Sequence, residues 1–210
     1  MNQQKFFKFE TKNDLDLSSF FVNDTNNQAF SLVNKENLTE NIFLIGPKKS
    51  GKSHLANIWK LNNDAIIFDN NIDDIIEKNK NVLIDNLFIN LDEEIIFHLI
   101  NHCISNNLII LITSEINLFE HNFIIPDLLS RLKIFNHAKI NNPDDEILIN
   151  VLTKLLIEKQ FIIKNNDIFD YLLNRIQRSY EEVYNIVKKM DDMSLEKKRQ
   201  LTIPSIKELI

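Results

Sequence analysis

The stretch Gly46-Pro47-Lys48-Lys49-Ser50-Gly51-Lys52-Ser53 contains both glycines of this 210-residue chain. A chain of this length with average composition would carry about fifteen. Glycine is needed where the backbone takes a positive φ or passes close to a ligand. Because both glycines occupy fixed positions of the pattern Gly-x-x-x-x-Gly-Lys-Ser, the stretch predicts a phosphate-binding loop.

The residues on either side of the loop support this prediction. Residues 41–45 have the composition of a buried strand, and residues 54–59 continue as a helix. Strand, loop and helix in this order are the context that the motif requires. Backbone N–H groups would surround the phosphates of ATP or ADP, so the predicted cofactor-binding residues run from Gly46 to His54. Lys52 would neutralise phosphate oxygens, and Ser53 would offer its hydroxyl to Mg²⁺.

Strands alternate with helices as far as residue 140. Further strands are predicted over residues 64–68, 81–85, 107–112 and 134–140, and residues 91–105 have helical spacing. This alternation is typical of a mostly parallel sheet that helices cover on both faces. The predicted fold class is therefore α/β, with the phosphate loop after its first strand.

The pattern changes at Asn142, which has the chemistry of a helix N-cap, with Pro143 at the first helical position. From there only helices are predicted, over about 143–160, 167–177 and 180–193, with a short one after Pro204. Ser179 and Glu182 have capping-box spacing. We therefore expect a tail over residues 1–14, a nucleotide-binding core over 15–141 and a small all-helical lid domain over 142–210.

Asp85 ends the predicted third strand and is the expected acidic partner of Mg²⁺, with a turn aspartate as the alternative. Many nucleotide hydrolases place a second acid directly after it to activate water, but this chain has Asn86. A carboxamide orients water and cannot take its proton. The sequence therefore predicts slow or absent ATP hydrolysis by the chain alone.

Two further positions are candidates for contact with phosphate. Thr113 and Ser114 end the fourth strand, where Ser114 is expected either to act as a polar sensor of the γ-phosphate or to cap the strand. Arg131 is one of few arginines in a lysine-rich chain, and the planar guanidinium suits bidentate phosphate recognition. A structural salt bridge is the alternative for Arg131.

Composition limits the remaining possibilities. The net charge is −6, and Lys197-Lys198-Arg199 is interpreted as a solvated helix face rather than a nucleic-acid patch. A lone Cys103, expected in the core, and the lack of any apolar run of about 20 residues suit a soluble cytoplasmic protein. His98 and His102 lie four apart, and a helix-surface pair is expected there rather than a metal site.

Several segments together resemble DnaA-related AAA+ proteins of the Hda family, and the similarity runs from about Leu15 to Ile210. The segments are residues 43–59 with their His-Leu-Ala and Trp, Ile84-Asp85-Asn86, residues 126–132 with Arg131, residues 178–183, and residues 194–204. The segment from Phe20 to Ala29 is similar to the part of these proteins that lies near the adenine.

The resemblance implies an AAA+ core with a helical lid and a regulatory role in replication initiation. Hda-type proteins bind ADP, associate with the DNA polymerase sliding clamp (its β subunit) and stimulate hydrolysis of ATP held by DnaA. In that scheme Arg131 is an arginine finger that acts in trans, and Arg178 reaches the nucleotide from the lid. DnaA binds origin DNA through a further helix-turn-helix domain, so direct sequence-specific DNA binding is not expected here.

Two parts of the resemblance are less regular. The sensor arginine of DnaA would fall near Glu181, an acid, so Arg178 is expected to replace it or the lid does not sense the nucleotide. In the tail, Gln4, Phe6, Phe7 and Phe9 have the form of a clamp-binding peptide, with anchoring of the tail to its own domain as the alternative. A homodimer is possible.

Two other functions use the same phosphate loop. A stand-alone AAA+ ATPase of the helicase-loader type would need its own water-activating acid and a basic DNA-binding surface, and neither is evident. A small-molecule kinase would need an arginine-rich lid, whereas Arg175, Arg178 and Arg199 are spread apart.

Overall fold

Five parallel strands form the central sheet in the computed structural model, which describes residues 20–35, 38–89, 91–163 and 167–194 with Gln200, Leu201 and Lys207. The strands are β1 (Ile42–Ile45), β2 (Ile66–Ile67), β3 (Val82–Ile84), β4 (Ile110–Ser114) and β5 (Asn136–Lys139). Their order across the sheet is β2-β3-β4-β1-β5, and every pairing is parallel. The predicted parallel sheet is confirmed.

Successive side chains of a strand point to opposite faces, so these short apolar strands contribute side chains to two separate hydrophobic cores, one on each face of the sheet. On β1, Phe43 packs into one cluster, while Ile42 and Leu44 pack into the other. On β4, Ile110 and Ile112 share the cluster of Phe43. The sheet is buried on both sides, which explains why its strands are almost continuously apolar.

The helices of the core divide between the two faces. They are α1 (Asn27–Val33), α2 (Lys52–Asn62), α3 (Ile72–Lys78), α4 (Glu93–Ser105) and α5 (Pro126–Lys133). Residues of α1 and α2 pack in the cluster of Ile42 and Leu44, whereas those of α3, α4 and α5 pack in the cluster of Phe43. Helices α2 and α5 therefore lie on opposite faces of the sheet. Cys103 of α4 is fully buried, and burial raises its pKa to about 12, so the predicted core position is confirmed.

The C-terminal part forms a helical lid with a core of its own. Its helices are α6 (Asp145–Glu158), α7 (Asp167–Leu173) and α8 (Tyr180–Ser194). Leucines of α6 pack there against α7 and α8. The helical lid is as predicted, but it also contains a short parallel pair of strands, β6 (Ile162–Ile163) and β7 (Gln200–Leu201), that the sequence analysis missed.

The start of α6 differs from the sequence prediction. The N-cap is Asp144, whose Oδ1 accepts a hydrogen bond of 2.8 Å from the Ile147 N–H. The prediction of Asn142 as N-cap and Pro143 at the first helical position was wrong. Asp144 also has a side chain that can cap a helix and also precedes acids, so the residue types alone do not distinguish it from Asn142. At α8, Ser179 Oγ accepts from the Glu182 N–H at 3.2 Å, which is half of the predicted capping box.

Several predictions lie outside the described residues. They concern the tail with Gln4, Phe6, Phe7 and Phe9, the basic stretch 197–199 and the short helix after Pro204. Among the described ranges, no helix is long and apolar enough to cross a membrane.

Replacing Asp144 with Ala should destabilise the protein by about 0.5–2 kcal/mol, because the cap of α6 is lost. Asp144 Oδ2 also accepts from Asn23 Nδ2 at 2.8 Å, so the loss should lie in the upper half of that range. The measurement is urea unfolding. Asn142→Ala is the matched control because Asn142 is exposed, and a loss equal to that of Asp144→Ala would contradict the assigned cap.

Candidate functional site

The predicted phosphate loop lies at the carboxyl edge of the sheet. It joins the end of β1 to the start of α2, and the Gly46 N–H donates to the Ser114 carbonyl at the end of β4. An open pocket of ≈ 330 Å³ lies against it. The pocket is lined from the loop, the strand ends and the lid by Lys48, Lys49, Ser50, Gly51, Lys52, Ser53, His54, Asp85, Asn86, Thr113, Glu115 and Tyr184. The carboxyl edge is where open α/β sheets bind ligands.

The two glycines are required for different reasons. Gly51 has φ +92°, a left-handed conformation that costs other residues energy, and a Cβ there would lie 2.8 Å from Phe20 Cε2. A Cβ on Gly46 would lie 2.9 Å from Ile140 Cβ. Gly46 is therefore needed for close approach, and Gly51 for both conformation and space.

Lys52 is held within the loop. Lys52 is only 6% exposed, and its Nζ donates to the carbonyl oxygens of Gly46 at 2.9 Å and Pro47 at 2.7 Å. Glu115 Oε1 lies 3.9 Å from the same nitrogen. Burial lowers the pKa of Lys52, while the charges of Glu115 and Asp85 act in the opposite direction. A phosphate group at this nitrogen would favour the charged form further.

Asp85 is the centre of a hydrogen-bond network between three elements. Its Oδ1 accepts from Ser53 Oγ of α2 at 3.0 Å and from Thr113 Oγ1 of β4 at 2.6 Å. A hydroxyl and a carboxylate side by side are hard oxygen donors of the kind that Mg²⁺ takes when substrate phosphates and water complete its shell. The residues at the predicted metal position therefore fit this ion.

Asn86 and Ser114 are also held in place by the strand ends. Asn86 has φ 62°, and its N–H donates to Thr113 Oγ1 at 2.7 Å. The Ser114 hydroxyl is fully buried, donates to the Ile116 carbonyl at 2.6 Å and accepts from the Ile116 N–H at 3.0 Å. These bonds are the strand-end capping that was the alternative for Ser114, and its sensor role stays a prediction.

The lid contacts the loop through residues of α8. Lys48 Nζ lies 2.6 Å from Glu181 Oε1, and Lys49 Nζ lies 5.5 Å from the centre of the Tyr184 ring. Arg178 instead pairs with Asp145 at 3.3 Å, with both side chains more than half exposed, and it is not among the residues that line the pocket. In this arrangement Glu181, rather than Arg178, contacts the loop, and the contact of Arg178 with a nucleotide stays a prediction.

Arg131 is away from this pocket. It lies near the end of α5 and lines a second groove with Asn41 and Asn136, which lie at the amino ends of β1 and β5. Its guanidinium carbon lies 5.3 Å from the centre of the Phe97 ring. Among the described residues Arg131 has no ion pair, so the alternative of a structural salt bridge finds no partner there.

Sequence reasoning missed Glu115 and Tyr184 at this site. Phe20 lies over Gly51 and its ring lies 5.9 Å from that of His54, which suits the segment placed near the adenine by resemblance. Glu115 directly follows the predicted sensor pair, and that adjacency was the available signal. Among the described residues no three His, Cys, Asp or Glu side chains lie close enough to hold a metal ion, so His98 and His102 have no third ligand there.

Comparison with known proteins finds a family model that matches the lid. A family model described as "Hda, lid domain" matches residues 145–210. Domain III of the replication initiation protein DnaA from Thermotoga maritima has a similar structure, with a TM-score of 0.76 and 16% identity over 94% of this chain and 96% of that one. Residues 145–210 therefore resemble the Hda lid domain, and the fold of the chain is that of DnaA domain III.

Two other proteins are similar to this chain. AMPPCP-bound DnaA from Aquifex aeolicus has a TM-score of 0.64 and 19% identity, over 84% of this chain and 65% of that one. This chain therefore spans about two thirds of the length of that DnaA. An uncharacterized protein of Haemophilus influenzae is 27% identical over 230 residues, which cover 100% of this chain and 99% of that protein.

Thr113→Val should destabilise the protein by about 1–3 kcal/mol, because the fully buried Thr113 hydroxyl makes two hydrogen bonds, to Asp85 Oδ1 and from the Asn86 N–H, each worth about 0.5–1.5 kcal/mol. Urea unfolding measures the change. Thr153→Val is the control, since that hydroxyl only donates to the Ile149 carbonyl within α6, and we expect less than about 1 kcal/mol there. Equal losses in both variants would mean that the Asp85 network contributes no more than an ordinary helix hydroxyl.

Proposed function

We propose that this chain holds ADP or ATP with Mg²⁺ on its phosphate loop and, together with the sliding clamp, stimulates hydrolysis of ATP bound to DnaA. Arg131 is the arginine finger that it supplies in trans. The observation that carries the proposal is the position of Arg131 relative to the chain's own phosphate loop. The Hda-type lid and the DnaA-like fold support the choice of partner.

Two features separate Arg131 from its own nucleotide site. The first is the edge of the sheet, since the groove that Arg131 lines lies at the amino ends of strands whose carboxyl ends meet the loop. The second is the face, since α5 packs on the opposite side of the sheet from α2. An arginine in this position is better placed to meet the nucleotide of a neighbouring molecule than its own.

The chain's own site has the parts for binding and lacks one for hydrolysis. Lys52, Ser53 and Asp85 line one pocket and would contact the phosphates and Mg²⁺. Asn86 occupies the position directly after Asp85, and its carboxamide cannot accept a proton from water. The nucleotide would then stabilise the conformation that the partner recognises, while the chain itself turns over slowly.

An arginine finger acts by stabilising the charge that develops on the γ-phosphate in the transition state. Arg131 is suited to this role because its planar guanidinium carries fixed donors and a permanent charge. Among the described residues Arg131 also forms no ion pair, and Glu40, the acid that lines the same groove, accepts a hydrogen bond from Asn136 Nδ2. The Phe97 ring beside it limits its motion without neutralising it.

Contact with the clamp is proposed from the tail sequence. Gln4 and Phe9 bracket a short motif whose glutamine and hydrophobic residues have the form of clamp-binding peptides. The tail would tether the chain to the clamp, and the lid and core would be left to meet DnaA.

Nucleotide binding should depend on Lys52. We expect Lys52→Ala to weaken ADP and ATP binding by about 10- to 100-fold, because a charge-assisted hydrogen bond to phosphate is lost. Isothermal titration with Mg²⁺ present measures both affinities. Lys60→Ala, on the same helix but at its far end, should bind as the wild type does. Binding to neither nucleotide by the wild type would mean that the loop is a relic.

Stimulation of DnaA should depend on Arg131. In an assay with ATP-loaded DnaA and DNA-loaded clamp, the wild type should accelerate phosphate release and Arg131→Ala should lose about 10³-fold or more of that effect. Arg175→Ala is the matched control, because Arg175 stacks on Tyr171 in the lid at 3.8 Å.

No stimulation by the wild type, or full stimulation by Arg131→Ala, would contradict the proposed function. A chain without residues 1–10 should no longer bind the clamp and should lose the stimulation that depends on the clamp. If that chain still binds the clamp, the tail assignment is refuted.

A further inference from the structure

We propose that Glu93 is a positioning residue for Arg131: its carboxylate fixes the start of α5 against α4 and so sets where Arg131 is presented to a partner. This inference rests on the proposed function. It does not place Glu93 in contact with nucleotide. Glu93 acts through the helix that carries the arginine.

The carboxylate of Glu93 binds two backbone N–H groups of another element. Its side chain is only 10% exposed, its Oε1 accepts from the Ile124 N–H at 3.0 Å, and its Oε2 accepts from the Ile125 N–H at 2.7 Å. Ile125 is the N-cap residue of α5, and its apolar side chain has no oxygen with which to cap the helix. The first turn of α4 therefore supplies the carboxylate that holds the chain as it enters α5.

A ring cluster holds the same loop from the other side. His121 Nε2 lies 3.5 Å from Glu93 Oε1, and its ring centre lies 4.7 Å from those of both Phe88 and Phe123. Burial acts to raise the pKa of Glu93, but the N–H groups of Ile125 and Ile124 and the neighbouring His121 hold it below its ordinary value. The carboxylate is thus kept charged for the two hydrogen bonds.

Helix α5 transmits this anchor to Arg131. The helix has eight residues, with Pro126 at its start and Arg131 near its end. Phe97, which lies beside Arg131, is four residues after Glu93 and so is on the same side of α4. One side of α4 therefore contacts both the start of α5 and its arginine. A misplacement of about 1 Å at a reacting group costs up to about 10²-fold in rate. A shift at the start of α5 that also moves Arg131 should therefore lower the rate of the reaction that Arg131 assists.

The test compares Glu93→Gln and Glu93→Ala with Glu94→Gln. Glu94 is the next residue of α4 and is exposed, so its variant removes the same charge without touching the loop. Each protein is titrated into ATP-loaded DnaA with DNA-loaded clamp, which gives a maximal rate and a half-saturating concentration. Hydrogen exchange of residues 121–134 is measured on the protein alone.

We expect the maximal rate to fall about 3- to 10-fold in Glu93→Gln and up to about 100-fold in Glu93→Ala, because glutamine keeps one acceptor oxygen and alanine keeps none. The half-saturating concentration should change little. Exchange should accelerate over residues 121–134 and stay unchanged in the phosphate loop. Glu94→Gln should match the wild type in each measurement.

Several results would overturn the inference. They are a wild-type maximal rate in both Glu93 variants, a change confined to the half-saturating concentration, and wild-type exchange over residues 121–134. If the wild type itself does not stimulate DnaA, the proposed function fails, and the exchange data still decide whether Glu93 holds the segment of Arg131. Unchanged exchange there would then overturn the inference independently.

Discussion

A single carboxylate oxygen, Oδ1 of Asp85, holds together the parts of the nucleotide site. It accepts hydrogen bonds from Ser53 at the start of α2 and from Thr113 at the end of β4, while Asp85 itself follows β3. The same Thr113 hydroxyl accepts from the Asn86 N–H. Because parallel strands bring their carboxyl ends to one edge, three segments distant in sequence meet at this oxygen. Together with the bond from the Gly46 N–H to the Ser114 carbonyl, it ties the loop and the start of α2 to the strand ends.

The second constraint is that the sheet separates the phosphate loop from Arg131. The phosphate loop with Lys52 lies at one edge, and the groove of Arg131 lies at the other, with α2 and α5 on opposite faces. The parallel sheet makes the separation rigid, since both edges belong to the same hydrogen-bonded strands. The proposed binding of a nucleotide at one edge and the proposed action of Arg131 on a partner at the other therefore do not compete for the same space.

Local sequence signals predicted much of this arrangement. The left-handed Gly51, the close approach at Gly46 and the strand that ends just before Asp85 all follow from residue types at fixed spacings. The helical lid was likewise visible from apolar periodicity. The N-cap at Asp144 was misplaced by two residues, because several adjacent residues carry capping chemistry.

The remaining features depend on contacts between distant segments. Glu181 meets Lys48 across 133 positions, and Glu93 meets Ile124 across 31. No local pattern marks either acid, since both resemble ordinary first-turn carboxylates of a helix. The strand pair in the lid was missed for the same reason, because two residues on each side are too few to produce a period.

The central claim is that Arg131 serves another molecule and not the chain's own nucleotide. The most direct measurement is the affinity of Arg131→Ala for ADP and ATP by isothermal titration, at protein concentrations where the chain is monomeric. Both affinities should equal those of the wild type. A loss of about tenfold or more, equivalent to about 1.4 kcal/mol, would place Arg131 at its own phosphates and contradict the account.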